Sequence, residues 1–113
     1  MIQLYGIKNC DSVKKAIKFF KENNLSYQLF DFKAEKLPCD KISDWLTQTD
    51  IKTLFNSRST TYRNLKLKEL NLDETAQAEW LCKENLLIKR PVVEFNGKVI
   101  VGYKEENYQR SFL

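Results

Sequence analysis

The stretch that decides the fold is Val92-Val93-Glu94-Phe95-Asn96-Gly97-Lys98-Val99-Ile100-Val101. Asn-Gly between two apolar segments is the strongest short-range signal of a β-hairpin, because both residues of the tight turn need positive φ angles. The stretch therefore predicts two antiparallel strands that are joined by a two-residue turn. One face of the hairpin is expected to be apolar, and its predicted members are Val93, Phe95, Val99 and Val101.

The other end of the chain predicts a strand–helix–strand unit. Residues 2–5 alternate as a short strand, and residues 26–32 form a second one. Between them, helical spacing relates the apolar residues Val13, Ala16, Ile17 and Phe20. Residues 9–12 supply capping side chains for this helix, and Asn23-Asn24 ends it. This order and this connection length suit two parallel strands with a right-handed crossover.

The middle of the chain is predicted to be helical. Pro38 precedes a helix over residues 40–48, and a short helix follows over residues 50–55. Residues 56–61 are a polar loop, and Asp73 can cap a helix that runs to residue 84. A last short helix is expected over residues 104–110.

The predicted fold class is therefore α/β, with a thioredoxin-like fold. It has a four-stranded mixed sheet with helices on both faces, and a helical insertion lies between the βαβ and ββα halves. The length of 113 residues suits a single domain over residues 1–113.

Composition excludes several function classes. The chain has no His, and it has no Cys-x-x-Cys pair, so we expect no metal site. The net charge is a mild +4, and the basic residues are scattered among acidic ones. Nucleic-acid binding is therefore not expected, although the charge suits a small anionic substrate. No apolar run could span a membrane and the start of the chain lacks signal-peptide character, so we expect a cytoplasmic protein without a membrane partner.

The three cysteines are predicted to differ in their roles. Their odd number and wide spacing argue against a disulfide framework, and Cys39 and Cys82 are expected to be small structural residues. Cys10 lies where the first strand leads into the first helix. Unpaired N–H groups at a helix N-terminus favour the reactive thiolate form. The alternative for Cys10 is a small buried residue that fills a turn.

Two arginines are candidates for binding an anion. Arg90 precedes Pro91, which opens the third strand, and we expect this loop to lie near Cys10 at the same edge of the sheet. The Arg90-Pro91 peptide bond is predicted to be cis. Arg58 lies in a Ser/Thr-rich loop, which is either an anion site or a solvated turn.

Four stretches carry a resemblance to a known family. They are Tyr-Gly-Ile-Lys-Asn-Cys-Asp-Ser-Val-Lys-Lys-Ala (5–16), Phe-Asn-Ser-Arg-Ser-Thr-Thr-Tyr-Arg-Asn-Leu (55–65), Leu-Ile-Lys-Arg-Pro-Val-Val (87–93) and Gly-Lys-Val-Ile-Val-Gly-Tyr (97–103). Together they resemble the arsenate reductase-like (ArsC/Spx) family, specifically its YffB-type branch. The resemblance implies a thioredoxin-like fold, a cytoplasmic location and a glutathione-dependent thiol reductase.

The resemblance also assigns roles to residues. Cys10 matches the catalytic cysteine, Arg90 matches the arginine before the characteristic cis Pro91, and Arg58 matches the arginine of the branch's Asn-x-Arg-x-Thr-Thr loop. Gly102 stands where arsenate reductases have a further arginine, which argues against arsenate as the substrate.

These features predict a thiol oxidoreductase with one nucleophilic cysteine and no bound cofactor. Cys10 would attack a small oxidised or anionic substrate, and glutathione or a glutaredoxin would complete the cycle as the external thiol. Ser12 and the N–H groups of residues 11–13 would hydrogen-bond the sulfur or an oxyanion, and Arg90 would hold an anionic group.

The alternative is a transcriptional regulator. Spx-type regulators resemble this chain in fold and in a loop like Ser57-Arg58-Ser59, and they bind the RNA polymerase alpha subunit. Many have a Cys-x-x-Cys switch, but Val13 stands here at the second cysteine position. The resemblance therefore favours the reductase.

Overall fold

A mixed four-stranded sheet is formed by β1 (Ile2–Gly6), β2 (Tyr27–Asp31), β3 (Val92–Phe95) and β4 (Lys98–Val101). The structure is a computed structural model that describes all 113 residues. The strand order is β2-β1-β3-β4, with β1 parallel to β2 and antiparallel to β3. The predicted four-stranded mixed sheet, with its βαβ and ββα halves, is thereby confirmed.

Six α-helices accompany the sheet. They are α1 (Asp11–Glu22), α2 (Cys39–Trp45), α3 (Ile51–Leu54), α4 (Thr60–Asn64), α5 (Glu74–Lys83) and α6 (Glu105–Phe112). Two short 3₁₀ segments, Leu67–Leu70 and Asn85–Leu87, flank α5. The helices α2 to α5 form the predicted helical insertion between the two halves of the sheet. None of the helices has both the length and the apolar character that crossing a membrane requires.

The chain divides into two units of packing. The first comprises Met1–Glu35 and Arg90–Leu113 and contains the sheet with α1 and α6. The second comprises Lys36–Lys89 and contains the helical insertion. The expectation of a single domain over residues 1–113 stays a prediction.

The core of the first unit lies between the sheet and the helices α1 and α6. Its buried members are Ile2, Leu4, Val13, Ala16, Phe19, Phe20, Val93 and Tyr108. The apolar stripe predicted for α1 is thus confirmed, since Val13, Ala16 and Phe20 are fully buried and Ile17 packs, partly buried, against the same core. Burying side chains of this size stabilises the fold by roughly 1.5–3 kcal/mol each.

The turn of the hairpin agrees with the sequence. Asn96 and Gly97 have φ angles of 51° and 77°. These are the positive values that an Asn-Gly turn requires.

The predicted face of the hairpin is wrong in part. Val93 pairs with Ile100, so these two residues share a face with Phe95, whereas Val99 and Val101 lie on the opposite face. The reason is that a two-residue turn after Phe95 pairs odd-numbered residues with even-numbered ones. The alternation of apolar residues therefore changes parity across the turn.

The second unit differs from the prediction at its centre. The polar loop predicted over residues 56–61 is partly helical, because α4 begins at Thr60. Ser59 starts this helix by accepting a hydrogen bond on Oγ from the N–H of Tyr62 at 3.1 Å. The cap predicted at Asp73 is confirmed, since its Oδ1 accepts from the N–H of Ala76 at 2.8 Å.

The expectation that Cys39 and Cys82 are separate structural residues is wrong. Helix α2 packs against α5, which brings their Cα atoms to 5.2 Å, and the two residues form a disulfide. The 43 residues that separate them in sequence gave no sign of this pairing, because it depends on how the helices of the insertion pack.

Candidate functional site

Cys10 is the N-cap residue of α1. Its backbone is extended, with φ −139° and ψ 125°, and its carbonyl accepts the first helical hydrogen bond from the N–H of Lys14 at 2.9 Å. No side chain caps this helix, although residues 9–12 were expected to do so. The N–H groups of residues 11–13 precede the first helical bond, so they are available for an anion beside Cys10.

The Cys10 side chain is the free thiol of the protein. It is half-buried and packs against the core of the first unit, while Lys8 and Asn9 before it are exposed. A thiol in this position is held in one place by packing and is still open to a reagent. Ser12, the second residue of α1, is also partly buried.

Gly6 sets how closely the end of β1 lies to the first turn of α1, which are joined by the loop of residues 7–10, here called the Cys10 loop. A Cβ atom on Gly6 would lie 2.6 Å from Cγ2 of Val13, which is itself fully buried. That distance is too short for two carbon atoms, so only glycine fits between the end of β1 and the first turn of α1.

Replacing Gly6 with Ala is therefore expected to move the first turn of α1 or the end of β1. Overpacking of this kind costs about 1–3 kcal/mol of folding free energy, which urea unfolding would measure. The variant Gly6→Ala/Val13→Ala is the matched control, because it removes the colliding methyl group. A single Gly6→Ala variant as stable as the wild type would show that the contact does not constrain the loop.

Arg90 and Pro91 lie at the same end of the sheet. Val92 pairs with Tyr5 in the β1–β3 register, so Pro91 lies just beyond this pair, at the end of β1 from which the Cys10 loop departs. The Arg90-Pro91 peptide bond is cis, as predicted. The carbonyl of the buried Pro91 accepts a hydrogen bond from the N–H of Gly102 at 2.7 Å.

The guanidinium of Arg90 carries an unused donor. The side chain is partly exposed, but its Nε atom is buried and has no hydrogen-bond partner in the chain. Buried polar atoms are nearly always hydrogen-bonded, so an exception calls for an explanation. A bound anion would provide the missing acceptor, since Arg donates to carboxylates and oxyanions through its planar fork.

Tyr108 supports this end of the sheet from the core. It is fully buried, and its hydroxyl donates to the carbonyl of Gly102 at 3.0 Å. Burial raises the pKa of the Tyr108 hydroxyl, with a smaller contribution from Tyr103, so it remains a donor. Gly102, whose φ is 83°, is bonded through both of its backbone groups, because its N–H donates to Pro91 and its carbonyl accepts from Tyr108. The sequence had singled out Gly102 only as the site of a missing arginine.

A second tyrosine lies on β1 next to the Cys10 loop. Tyr5 donates a hydrogen bond of 2.6 Å to Oε1 of Glu94 on β3. Burial, reinforced by Glu94, raises the pKa of Tyr5. The sequence pattern marked Tyr5 only as a strand residue, and a bond between neighbouring strands could not be found without the register.

Arg58 belongs to the second unit. It is exposed, its N–H donates to Oδ1 of Asn56 at 3.1 Å, and its carbonyl accepts from the guanidinium of Arg63 at 3.2 Å. These bonds shape the turn before α4. The structure thus places Cys10, Ser12, Arg90 and Pro91 in the first unit, and Arg58 in the second.

The comparisons with known proteins concern the chain as a whole and give its family. Residues 5–111 match the model of the ArsC family. An uncharacterized protein from Haemophilus influenzae is 41% identical over 113 residues, which cover 99% of each chain. The solved structure of a protein called YFFB is 32% identical, covers 100% of both chains and has a TM-score of 0.91. A relative from Listeria innocua named global transcriptional regulator Spx is 28% identical, over 97% of this chain and 86% of its own.

The sheet and its helices define the class of α/β proteins with a thioredoxin-like fold, and in this chain a cysteine stands at the start of the first helix. Because the family model covers nearly the whole chain, this protein belongs to the ArsC family.

Proposed function

We propose that this protein is a cytoplasmic thiol oxidoreductase that uses Cys10 as its single nucleophile and glutathione as its thiol co-substrate. The observation that carries the proposal is the unpartnered, buried Nε of Arg90 at the sheet end from which the Cys10 loop departs. The uncapped N-terminus of α1 offers further donors beside Cys10. Both features suit a substrate that combines a reactive sulfur with an anionic group.

The proposed reaction is thiol–disulfide exchange in two steps. The Cys10 thiolate attacks the glutathione sulfur of a mixed disulfide, the S–S bond breaks, and the substrate leaves as a thiolate that takes up a proton. The thiolate of a second glutathione then attacks the Cys10–glutathione disulfide, which gives oxidised glutathione and restores the Cys10 thiolate. The net reaction converts one mixed disulfide and one glutathione into one thiol and one oxidised glutathione.

The surroundings of Cys10 have separate tasks in this reaction. The N–H groups of residues 11–13 and the hydroxyl of Ser12 stabilise the negative sulfur. Arg90 binds a carboxylate of glutathione, which fixes the direction from which the disulfide approaches. Arg58, which lies in the second unit, is a separate candidate for binding an anion.

A panel of oxidised substrates tests the proposal. Glutathione, a glutaredoxin and arsenate are varied separately, and the formation of oxidised glutathione is followed. We expect turnover of glutathione mixed disulfides that depends on glutathione. We expect none of arsenate, because Gly102 stands where the resemblance to arsenate reductases implies a further arginine. No turnover of any disulfide would contradict the proposal.

The role of Arg90 leads to a second prediction. Arg90→Met should raise the KM for a glutathione mixed disulfide by about tenfold or more, which corresponds to the loss of one charge-assisted hydrogen bond. The kcat should change less, because the sulfur chemistry stays in place. Hydroxyethyl disulfide with dithiothreitol in place of glutathione, so that no carboxylate is present, is the control, and its KM should not change. An equal rise in KM for both substrates would show that Arg90 does not bind the carboxylate of glutathione.

A second candidate function is binding of the RNA polymerase alpha subunit. The likeness to the Spx regulator and the exposed Arg58 between Ser57 and Ser59 favour it. A pull-down with the alpha subunit tests it, with Arg58→Ala as the matched variant. Saturable binding that needs Arg58, together with no reductase activity, would put this function first.

A further inference from the structure

The disulfide between Cys39 and Cys82 lies at the protein surface. Cys39 is exposed as the first residue of α2, and Cys82 is half-buried near the end of α5. Both line an open groove of about 600 Å³ between these helices. Low-molecular-weight thiols and disulfides can therefore reach the pair, and exposed disulfides are the ones that exchange readily.

The geometry of the backbone allows the bond to form. A Cα–Cα distance of 5.2 Å lies within the range of about 4.4–6.8 Å that disulfides span. The pair is separate from Cys10, which is the free cysteine. None of the roles proposed for Cys10 or Arg90 uses it.

The groove beside the pair is acidic. Asp50, Glu74 and Glu79 line it, and no lysine or arginine does. Hydrogen bonds from the side chain and the backbone N–H of Thr53 lower the pKa of Asp50, so this carboxylate stays charged. Glutathione is an anion, so the groove repels it, whereas a cationic disulfide is attracted.

We propose that Cys39 and Cys82 form a second redox site, a reversible dithiol–disulfide pair that exchanges with neutral or cationic low-molecular-weight disulfides. The exposed Cys39 thiolate attacks the external disulfide, which releases one thiol and leaves a mixed disulfide on Cys39. The thiolate of Cys82 then attacks the Cys39 sulfur, releases the second thiol and closes the protein disulfide. Two protein thiols are oxidised and one external disulfide is reduced to two thiols.

Closing the pair joins two helices that lie far apart in sequence. The cross-link spans 43 residues, and a loop of this length restricts the unfolded chain considerably. Oxidation should therefore raise the Tm of the full chain by roughly 10 °C. The site thus acts as a redox-dependent clamp on the helical insertion.

The test uses the full chain with Cys10→Ser, so that the outcome is independent of the function proposed for Cys10. The reduced protein is treated with cystamine, a dication, or with oxidised glutathione, and the remaining thiols are counted by alkylation and mass spectrometry. We expect both thiols to disappear together, at least about threefold faster with cystamine than with oxidised glutathione, with a smaller difference at high salt. The Tm should rise as the thiols are lost.

Two further variants keep the test decisive. Cys82→Ser should trap the mixed disulfide on Cys39 and should lose the rise in Tm. Glu74→Gln/Glu79→Gln should close the disulfide equally well but should lose much of the preference for cystamine. Retained mixed disulfides on both cysteines, or a Tm that does not change on oxidation, would overturn the proposal of a redox pair. An equal rate with both disulfides in the Cys10→Ser chain would overturn the proposed specificity.

Discussion

The variant Cys10→Ser is expected to reduce a glutathione mixed disulfide no faster than free glutathione does, a loss of at least about 1,000-fold in the catalysed rate. Serine keeps the size of the side chain but cannot form a mixed disulfide. The fold should not suffer, because serine is a good N-cap residue and α1 has no side-chain cap in the wild type.

The matched control for this experiment is the double variant Cys39→Ser/Cys82→Ser. It removes the other two cysteines and should keep the wild-type rate, because neither takes part in the proposed exchange. Thermal unfolding of Cys10→Ser checks that the protein is folded. Activity that survives in Cys10→Ser and disappears in the double variant would place the reaction at Cys39 or Cys82 and would contradict the role proposed for Cys10.

Truncating Tyr108 should have the largest effect on stability. Tyr108 is fully buried, stacks on Phe20 with ring centroids 5.7 Å apart, and also packs against Phe19 and Phe112. Tyr108→Ala should lower the free energy of unfolding by about 3–5 kcal/mol, measured by urea unfolding, because it leaves a large cavity. Since small domains are stable by only about 5–15 kcal/mol, this variant should be close to unfolding at room temperature.

Tyr108→Phe separates the hydroxyl group from the ring. It keeps the aromatic packing but leaves the buried carbonyl of Gly102 without its hydrogen bond, which costs about 1–3 kcal/mol. If Tyr108→Phe lost as much stability as Tyr108→Ala, the aromatic packing would not be the main contribution of this residue.

The sequence predicted those parts of the fold that depend on local signals. The Asn96-Gly97 turn, the apolar stripe on α1 and the cap at Asp73 each depend on residues within a few positions of one another. The cis bond at Pro91 was predicted because the fold class places that proline at the start of β3. Cys10 and Arg90 could be singled out for the same reason. Cys10 follows β1 and Arg90 precedes β3, and the predicted fold places these two strands side by side.

The features that the sequence missed depend on how separate helices and strands pack against one another. The pairing of Cys39 with Cys82 requires α2 to lie against α5, and no local pattern reports this. The hydrogen bond of Tyr108 to Gly102 needs the position of α6 relative to the end of β4. The parity error at Val99 has another origin, because one residue in the register of a hairpin decides which face a side chain occupies.

The central claim is that Cys10 carries the glutathione during turnover. The direct measurement is peptide mass spectrometry of the protein after rapid acid quenching of a reaction with a glutathione mixed disulfide in limited glutathione. The proposed mechanism predicts one glutathione on the peptide that contains Cys10, which disappears when excess glutathione is added. Glutathione found only on Cys39 or Cys82, with Cys10 unmodified throughout, would contradict the claim.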